Sequence, residues 1–337
     1  MSPHTPSSRT IIVTGASAGV GRAIAHRFAR AHDRVGLIAR DEEALKEVQR
    51  ELRAMGAEAE YEAVDVADAN AMFEAAERLE QRLGKIDVWI NDAMETLFST
   101  VAETDPGEFR RVTEVCYLGF VHGTMAALKS MRSSRRGRII QIGSALAYRG
   151  IPLQAAYCGA KHAIRGFTDA LRAELLHEGS GIHVSMVDLP AVNTPQFDWA
   201  AVHLRNNPRR MGQPIQPEVV AKAVFQAARG SAREYWLGWQ TLATILANTI
   251  APAWLDRYLA RKAIAGQQTN TPLAPGREDN LNHPITRLHR THGSFDAISA
   301  SHAPLVTGEV ARVGTIAAGA LLFFVLGAMA GRWHRRT

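Results

Sequence analysis

Cysteine is nearly missing: Cys116 and Cys158 are the only two in 337 residues. That argues against a disulfide framework and makes a reducing compartment the default. Internal repeats are missing too. No basic stripe with interleaved aromatics occurs, so the net charge of +6 reads as solubility and membrane-surface electrostatics, not nucleic-acid binding. The first apolar run lacks a cleavage signature, so no leader peptide is expected. His283, His289, His292 and His302 lack paired spacing or a second ligand type; they are read as solvated, not as a zinc site. What is abundant is apolar. A hydrophobic share of 46% suffices for a sizeable core and argues against global disorder.

Strand-like runs fall at 10–14, 34–39, 59–64, 86–91, 137–143 and 182–188, with a short seventh near Glu234–Leu237. Helical periodicity fills 19–32, 41–55, 68–83, 106–132, 155–178 and 217–229. Such alternation predicts a parallel sheet with right-handed crossovers and helices on both faces. Ligands of these sheets bind beyond the carboxyl ends of the strands, where strand order reverses. Thr14, Arg40, Asp65, Asn91, Ser144 and Leu189 all fall at such ends.

Tyr157 and Lys161 stand four residues apart in a helical stretch, hence on one helix face. A nearby ammonium favours the ionised phenol, so Tyr157 is expected to exchange a proton near neutral pH. Ser144 closes the strand Gly137–Gly143, where its hydroxyl could hold a substrate oxygen in line with the tyrosine. A tyrosine–lysine pair alone is common on ordinary surfaces; its neighbours give it meaning.

The decisive neighbour is Thr14-Gly15-Ala16-Ser17-Ala18-Gly19-Val20-Gly21, between the first strand and a helix carrying Ile24, Phe28 and Ala31 on one face. A glycine-rich turn there lets a pyrophosphate approach the backbone at a helix N-terminus. With TGxxxGxG spacing, Ser144 and YxxxK at these separations, residues 8–240 resemble the short-chain dehydrogenase/reductase family in its single-domain form. The fold implied is a Rossmann-type doubly wound parallel α/β sheet. A chain of 337 residues is long for that domain alone, so an extension is expected.

The resemblance implies a Ser144–Tyr157–Lys161 catalytic site and a nicotinamide cofactor. Nucleotide contacts would come from Thr14, Gly15, Ser17, Ala18, Gly19, Val20 and Gly21, from Asp65 and Val66, and from Asn91 and Ala93. Tyr157 and Lys161 would also face the nicotinamide ribose, with Pro190, Val192 and Thr194 beside the ring. At the end of the second strand, Ala39 stands where a carboxylate would read an unphosphorylated ribose. Arg40 follows it, suited to a 2′-phosphate. The resemblance thus implies the NADP(H) version of the family; the alternative is a solvated Arg40 with Asp41 capping the next helix. Met94 departs from the family's NNAG glycine and crowds the nicotinamide pocket. Cys116 departs from the family's VNxxG asparagine, which supports a proton-relaying water, so the relay should slow or move to another group. Both cysteines otherwise read as small packing residues.

The loop Pro195–Gln216 carries Phe197, Trp199, Val202, Leu204, Arg209 and Arg210 and reads as an apolar lid over the substrate, or as simple packing. Beyond it, 239–265 is an amphipathic helical segment interrupted by Pro252, either a core or interface helix or one lying in a membrane surface. Residues 266–311 read as an irregular linker. Val313–Gly331 then runs nineteen residues without charge, about 28 Å of helix against a hydrocarbon core of about 30 Å. With Arg312, Arg332 and Trp333 at its flanks, 312–332 is expected to span a membrane, with a buried oligomerisation helix as the alternative. Gly327 and Gly331 could pair such helices between copies.

The expected organisation is a disordered start at 1–8, a catalytic domain at 9–238, the extension, the anchor and a basic tail at 333–337. The expected activity is hydride transfer between nicotinamide and an apolar carbonyl or alcohol, at a membrane, with the catalytic domain cytoplasmic. A basic tail prefers the cytoplasmic side, which conflicts with that orientation; a catalytic domain drawing on cytosolic NADPH is taken as the stronger determinant. The rivals are a non-catalytic NADP(H)-binding sensor or scaffold, and an epimerase or dehydratase of the extended branch, disfavoured by the glycine spacing.

Overall fold

Thr10–Thr14 is buried at every position, the pattern of a strand covered on both faces. In the computed structural model, which describes residues 8–315 and 317, it forms β1 in the interior of the main sheet. The chain continues through α1 (Gly19–Ala29), β2 (Arg34–Ala39), α2 (Glu42–Ala54), β3 (Ala59–Ala63), α3 (Ala69–Leu83) and β4 (Val88–Asn91). A short strand β5 (Leu97–Phe98), helices α4 (Pro106–Thr113) and α5 (Gly119–Met131), β6 (Arg136–Ser144) and α6 (Ala155–His177) follow. Next come β7 (Gly181–Leu189), α7 (Gln196–Trp199), β8 (Ala201–Val202), β9 (Asn206–Pro208), α8 (Pro217–Ala227) and β10 (Glu234–Leu237). The last are α9 (Trp239–Ile250), α10 (Pro252–Gly266), β11 (Gln268–Pro272) and β12 (Leu305–Thr307).

The eight-stranded sheet runs β3-β2-β1-β4-β6-β7-β10-β12. Every neighbouring pair is parallel except β10 and β12. Side-chain alternation along β1 divides the core: Ile11 and Val13 join Ile24, Phe28 and Phe225 on one face. Ile12 joins Met72, Leu79 and Trp89 on the other. The order reverses between β1 and β4, where loops leave in opposite directions and open a crevice. Asp41 and Asp68 cap α2 and α3 by accepting the N–H groups of Ala44 and Ala71 at 3.0 Å, as short acidic side chains do at helix starts.

Two expectations change here. The helix expected over 106–132 is broken by one π-turn, Glu114–Leu118, with the Gly119 N–H bonded to the Glu114 carbonyl. Cys116 lies in that turn, tied to the β4 loop. The segment read as an irregular linker over 266–311 returns to the domain: β11 pairs with β9 and β12 adds an antiparallel edge to β10. The run Val313–Gly331 lies outside the described residues apart from 313–315 and 317, as does the start at 1–7. Among the described residues no helix is long and apolar enough to cross a membrane.

Candidate active site

The turn after β1 needs glycine for a spatial reason. Gly15 has φ +73°, and a Cβ there would lie 2.8 Å from the Ala93 Cα. The two loops are also tied by side chains: Thr14 Oγ1 accepts the N–H groups of Asp92 at 3.0 Å and Ala93 at 3.2 Å. The buried Asp92 carboxylate accepts from the Gly21 backbone. Asn91, a nucleotide candidate by sequence, is turned inward instead. Its Nδ2 donates to Gln141 Oε1 at 2.8 Å and Thr124 Oγ1 at 3.0 Å, and its Oδ1 accepts from Trp89 Nε1 at 2.8 Å. Thr14, Gly21 and Asn91 therefore brace the crevice and do not line it. A polar residue at a strand end satisfies buried partners first, because leaving them unpaired is costly.

The remaining candidates, Gly15, Ser17, Ala18, Gly19, Val20, Arg40, Asp65, Val66, Ala93, Pro190, Val192 and Thr194, line one cavity of about 550 Å³. Ser144, Tyr157 and Lys161 line the same cavity. Ser144 ends β6, and its Oγ accepts the Leu146 N–H at 3.1 Å, which orients the hydroxyl. Lys161 is buried, donates from Nζ to the Ile142 carbonyl at 2.8 Å, and lies 5.5 Å from the Tyr157 ring centroid.

Electrostatics differ from the expectation for Tyr157. Burial pushes its phenol well above the usual range, Cys116 adds to that, and hydrogen bonding to Ser144 opposes it. Burial also lowers Lys161, against the pull of Cys116, Asp92 and Asp188. Burial is the largest influence on the Tyr157 phenol, and it disfavours the ionised form. Cys116 has a definite task as well. Its Sγ accepts the Glu95 N–H at 3.1 Å and donates to the Glu95 carbonyl at 3.0 Å, so it pins the β4 loop to the π-turn. Burial raises its thiol to about 11, which makes it a packing and hydrogen-bonding group and not a nucleophile.

At the other end of the cavity lies a charge cluster that sequence reading missed. Glu95, 3% exposed, meets Arg40 at 2.6 Å and Arg111 at 3.4 Å, and Arg111 also bonds Asp65 at 2.6 Å. Burial raises the Glu95 carboxyl to about 8, against the pull of the two arginines. Arg40 is thus not the solvated side chain of the alternative reading. The only sequence signal was a charged residue directly after the Asn91–Met94 motif.

The lid residues Phe197 and Trp199 line the cavity while Val202 sits in β8 against β5. Thr244, Leu255, Tyr258 and Leu259 of α9 and α10 also line the cavity. Ile245, Leu255 and Leu259 face inward, while Trp239 and Trp254 are 66% and 59% exposed. His289 is not solvated as expected. Its side chain is 8% exposed, 3.3 Å from the Asp41 carboxylate and 5.5 Å from the Trp199 ring.

Asp188 is buried near the end of β7, with Oδ2 accepting the Tyr148 hydroxyl at 3.1 Å and Oδ1 without a partner among the described residues. Burial raises its carboxyl from 3.8 to about 7, with Glu234 adding to the rise. Because the folded state holds the proton more tightly, stability falls as pH rises from about 4 to about 7 and then levels. Asp188→Asn keeps the acceptor and removes that slope. Its gain in thermal midpoint over the parent is expected to grow across that window; a pH-independent difference would refute the assignment.

The short chain dehydrogenase family profile matches residues 9–201. Among relatives, the uncharacterized oxidoreductase YxnA of Bacillus subtilis is 30% identical, covering 81% of this chain and 77% of its own. Dehydrogenase/reductase SDR family member 7B of Bos taurus is 35% identical over 75% of this chain and 81% of that one. An alcohol dehydrogenase from Thermococcus sibiricus, solved with 5-hydroxy-NADP, superposes with a TM-score of 0.60 at 25% identity, covering 68% of this chain and 95% of its own. The chain belongs to the short-chain dehydrogenase family.

Proposed function

We propose that this cleft binds a nicotinamide dinucleotide, NADP(H) in preference to NAD(H), and reduces or oxidises an apolar carbonyl or alcohol. The observation that carries the reading is that Ser144, Tyr157 and Lys161 open onto the same cavity as the glycine turn. The residues fit such a cofactor: the positive φ of Gly15 and its close approach to the Ala93 backbone, which a Cβ would block, shape the turn, and Val20 sits at the start of α1, where N–H groups suit phosphates. When bound, the nicotinamide supplies the hydride chemistry. Ser144 holds the substrate oxygen, and Tyr157 gives or takes the hydroxyl proton. Lys161 holds the nicotinamide ribose and favours the phenolate once a polar ligand offsets the effect of burial. Phe197, Leu255 and Leu259 give the substrate end its apolar character.

Arg40 supports the 2′-phosphate preference, as does the methyl of Ala39. Glu95 Oε1 lies 2.6 Å from the same guanidinium, so a phosphate must compete for it. Arg40→Leu is expected to weaken NADPH far more than NADH, by about 1.5–3 kcal/mol, on the order of 10- to 150-fold. Calorimetric titration of both cofactors checks this; equal losses would reduce Arg40 to a structural role. Turnover of NADPH with aldehydes, ketones, quinones and steroids tests the reaction itself.

The uncharged run Val313–Gly331 supports a membrane anchor with the catalytic domain on the cytoplasmic side. The exposed Trp239, Ile250 and Trp254 of α9 and α10 suit an interfacial position beside the bilayer.

A further inference from the structure

Residues 279–293 cross from the lid to the glycine turn and cover the adenosine end of the cavity. Gly19 N–H donates to the Arg290 carbonyl at 3.0 Å. Arg40 donates to the carbonyls of Asn280 at 2.5 Å and Leu281 at 3.3 Å, and Arg22 donates to the His289 carbonyl at 3.3 Å. At its ends, Asn280 N–H meets the Trp199 carbonyl at 2.9 Å and Gly293 N–H meets the Asn193 carbonyl at 3.2 Å. The crossing segment lies over the cleft and does not fill it. Asn280, Pro284, Ile285 and His289 line the same cavity as Gly15, Arg40 and Asp65.

We propose that 279–293 is a clasp that completes the nucleotide site and must open whenever the dinucleotide enters or leaves. This rests on the nucleotide reading of the cleft. Only Leu281 and Ile285 are buried within it, and its one regular turn is Thr286–Leu288. The segment is otherwise held by hydrogen bonds and by the pairs His289–Asp41, Arg290–Asp198 and His292–Glu218; none of these belongs to the ladder of the main sheet, so it opens without disturbing the sheet. Arg40 links the two halves: the guanidinium that would read a 2′-phosphate also holds the clasp carbonyls. A guanidinium has five N–H donors, so Arg40 can meet a phosphate while the segment is open and hold the Asn280 and Leu281 carbonyls again on closure; entry and opening are thereby coupled.

The test uses the full chain with NADPH. In Leu281→Ala/Ile285→Ala, stopped-flow fluorescence should show association and dissociation both faster, on the order of tenfold, with the dissociation constant changed by less than about threefold. Faster association with unchanged dissociation would make the segment a competitor for the site and overturn the clasp. Unchanged rates in both directions would make it a static wall and overturn the clasp equally. Should the variant fail to fold, amide exchange in the parent protein decides: NADPH must slow exchange at Asn280 and Gly293. Unchanged or faster exchange there, with binding confirmed by calorimetry, overturns the clasp alone. A parent protein that binds neither NADPH nor NADH overturns the nucleotide reading and the clasp with it.

Discussion

Tyr157→Phe is expected to lower turnover by at least about a hundredfold while leaving NADPH affinity within about twofold. On the proposed reading the phenol oxygen beside Ser144 exchanges the proton with a substrate hydroxyl, and phenylalanine preserves the ring that packs near Lys161. Losing the oxygen therefore removes a proton donor without opening a void. Steady-state kinetics with NADPH, paired with direct cofactor titration, separate the two effects. A variant keeping more than about a tenth of the activity would point to another acid, and a parallel loss of cofactor affinity would assign Tyr157 to binding. Cys116→Asn probes the departure beside it. The substitution must replace both thiol hydrogen bonds to the Glu95 backbone, so a drop in stability with intact chemistry would confirm the pinning role.

Truncation after Thr315 is expected to move the protein from the membrane to the soluble fraction, with cofactor binding intact. The cut position follows from the fold. Glu234 is 1% exposed and is paired with Arg312, and β12 closes the sheet edge at Leu305–Thr307. Cutting at Gly308 would delete Arg312 and strand a buried carboxylate, a change that costs several kcal/mol, on the order of 3–5. Cutting after Thr315 removes most of the uncharged run and keeps the pair. Pelleting of the full chain that survives high salt identifies insertion, since salt screens surface attraction and not apolar burial. A full-length chain that stays soluble without detergent would refute the anchor. Melting curves of the two truncations should differ, the one ending at Gly308 lower.

The periodicity of short segments was enough to place the seven parallel strands and the helices between them. Burial on a sheet face repeats every two residues, and on a helix every three or four, so nearby residues carry the signal. The glycine turn, Ser144, Tyr157 and Lys161 were legible for the same reason: each is a local pattern at the end of an element. Tertiary structure decided what depends on distant partners. Arg40 meets Asn280 across 240 positions, and Glu95 gathers Arg40 and Arg111 into a buried cluster. No periodicity marks such pairs, and a stretch rich in Pro, Asn and His reads as a linker whether it wanders in water or crosses a cleft. The Tyr157 environment was hidden likewise. Sequence shows a lysine one turn away, whereas the desolvation that opposes it comes from side chains gathered from several elements. Elements and motifs follow from neighbours along the chain; charge pairing, dryness and the clasp follow from neighbours in space.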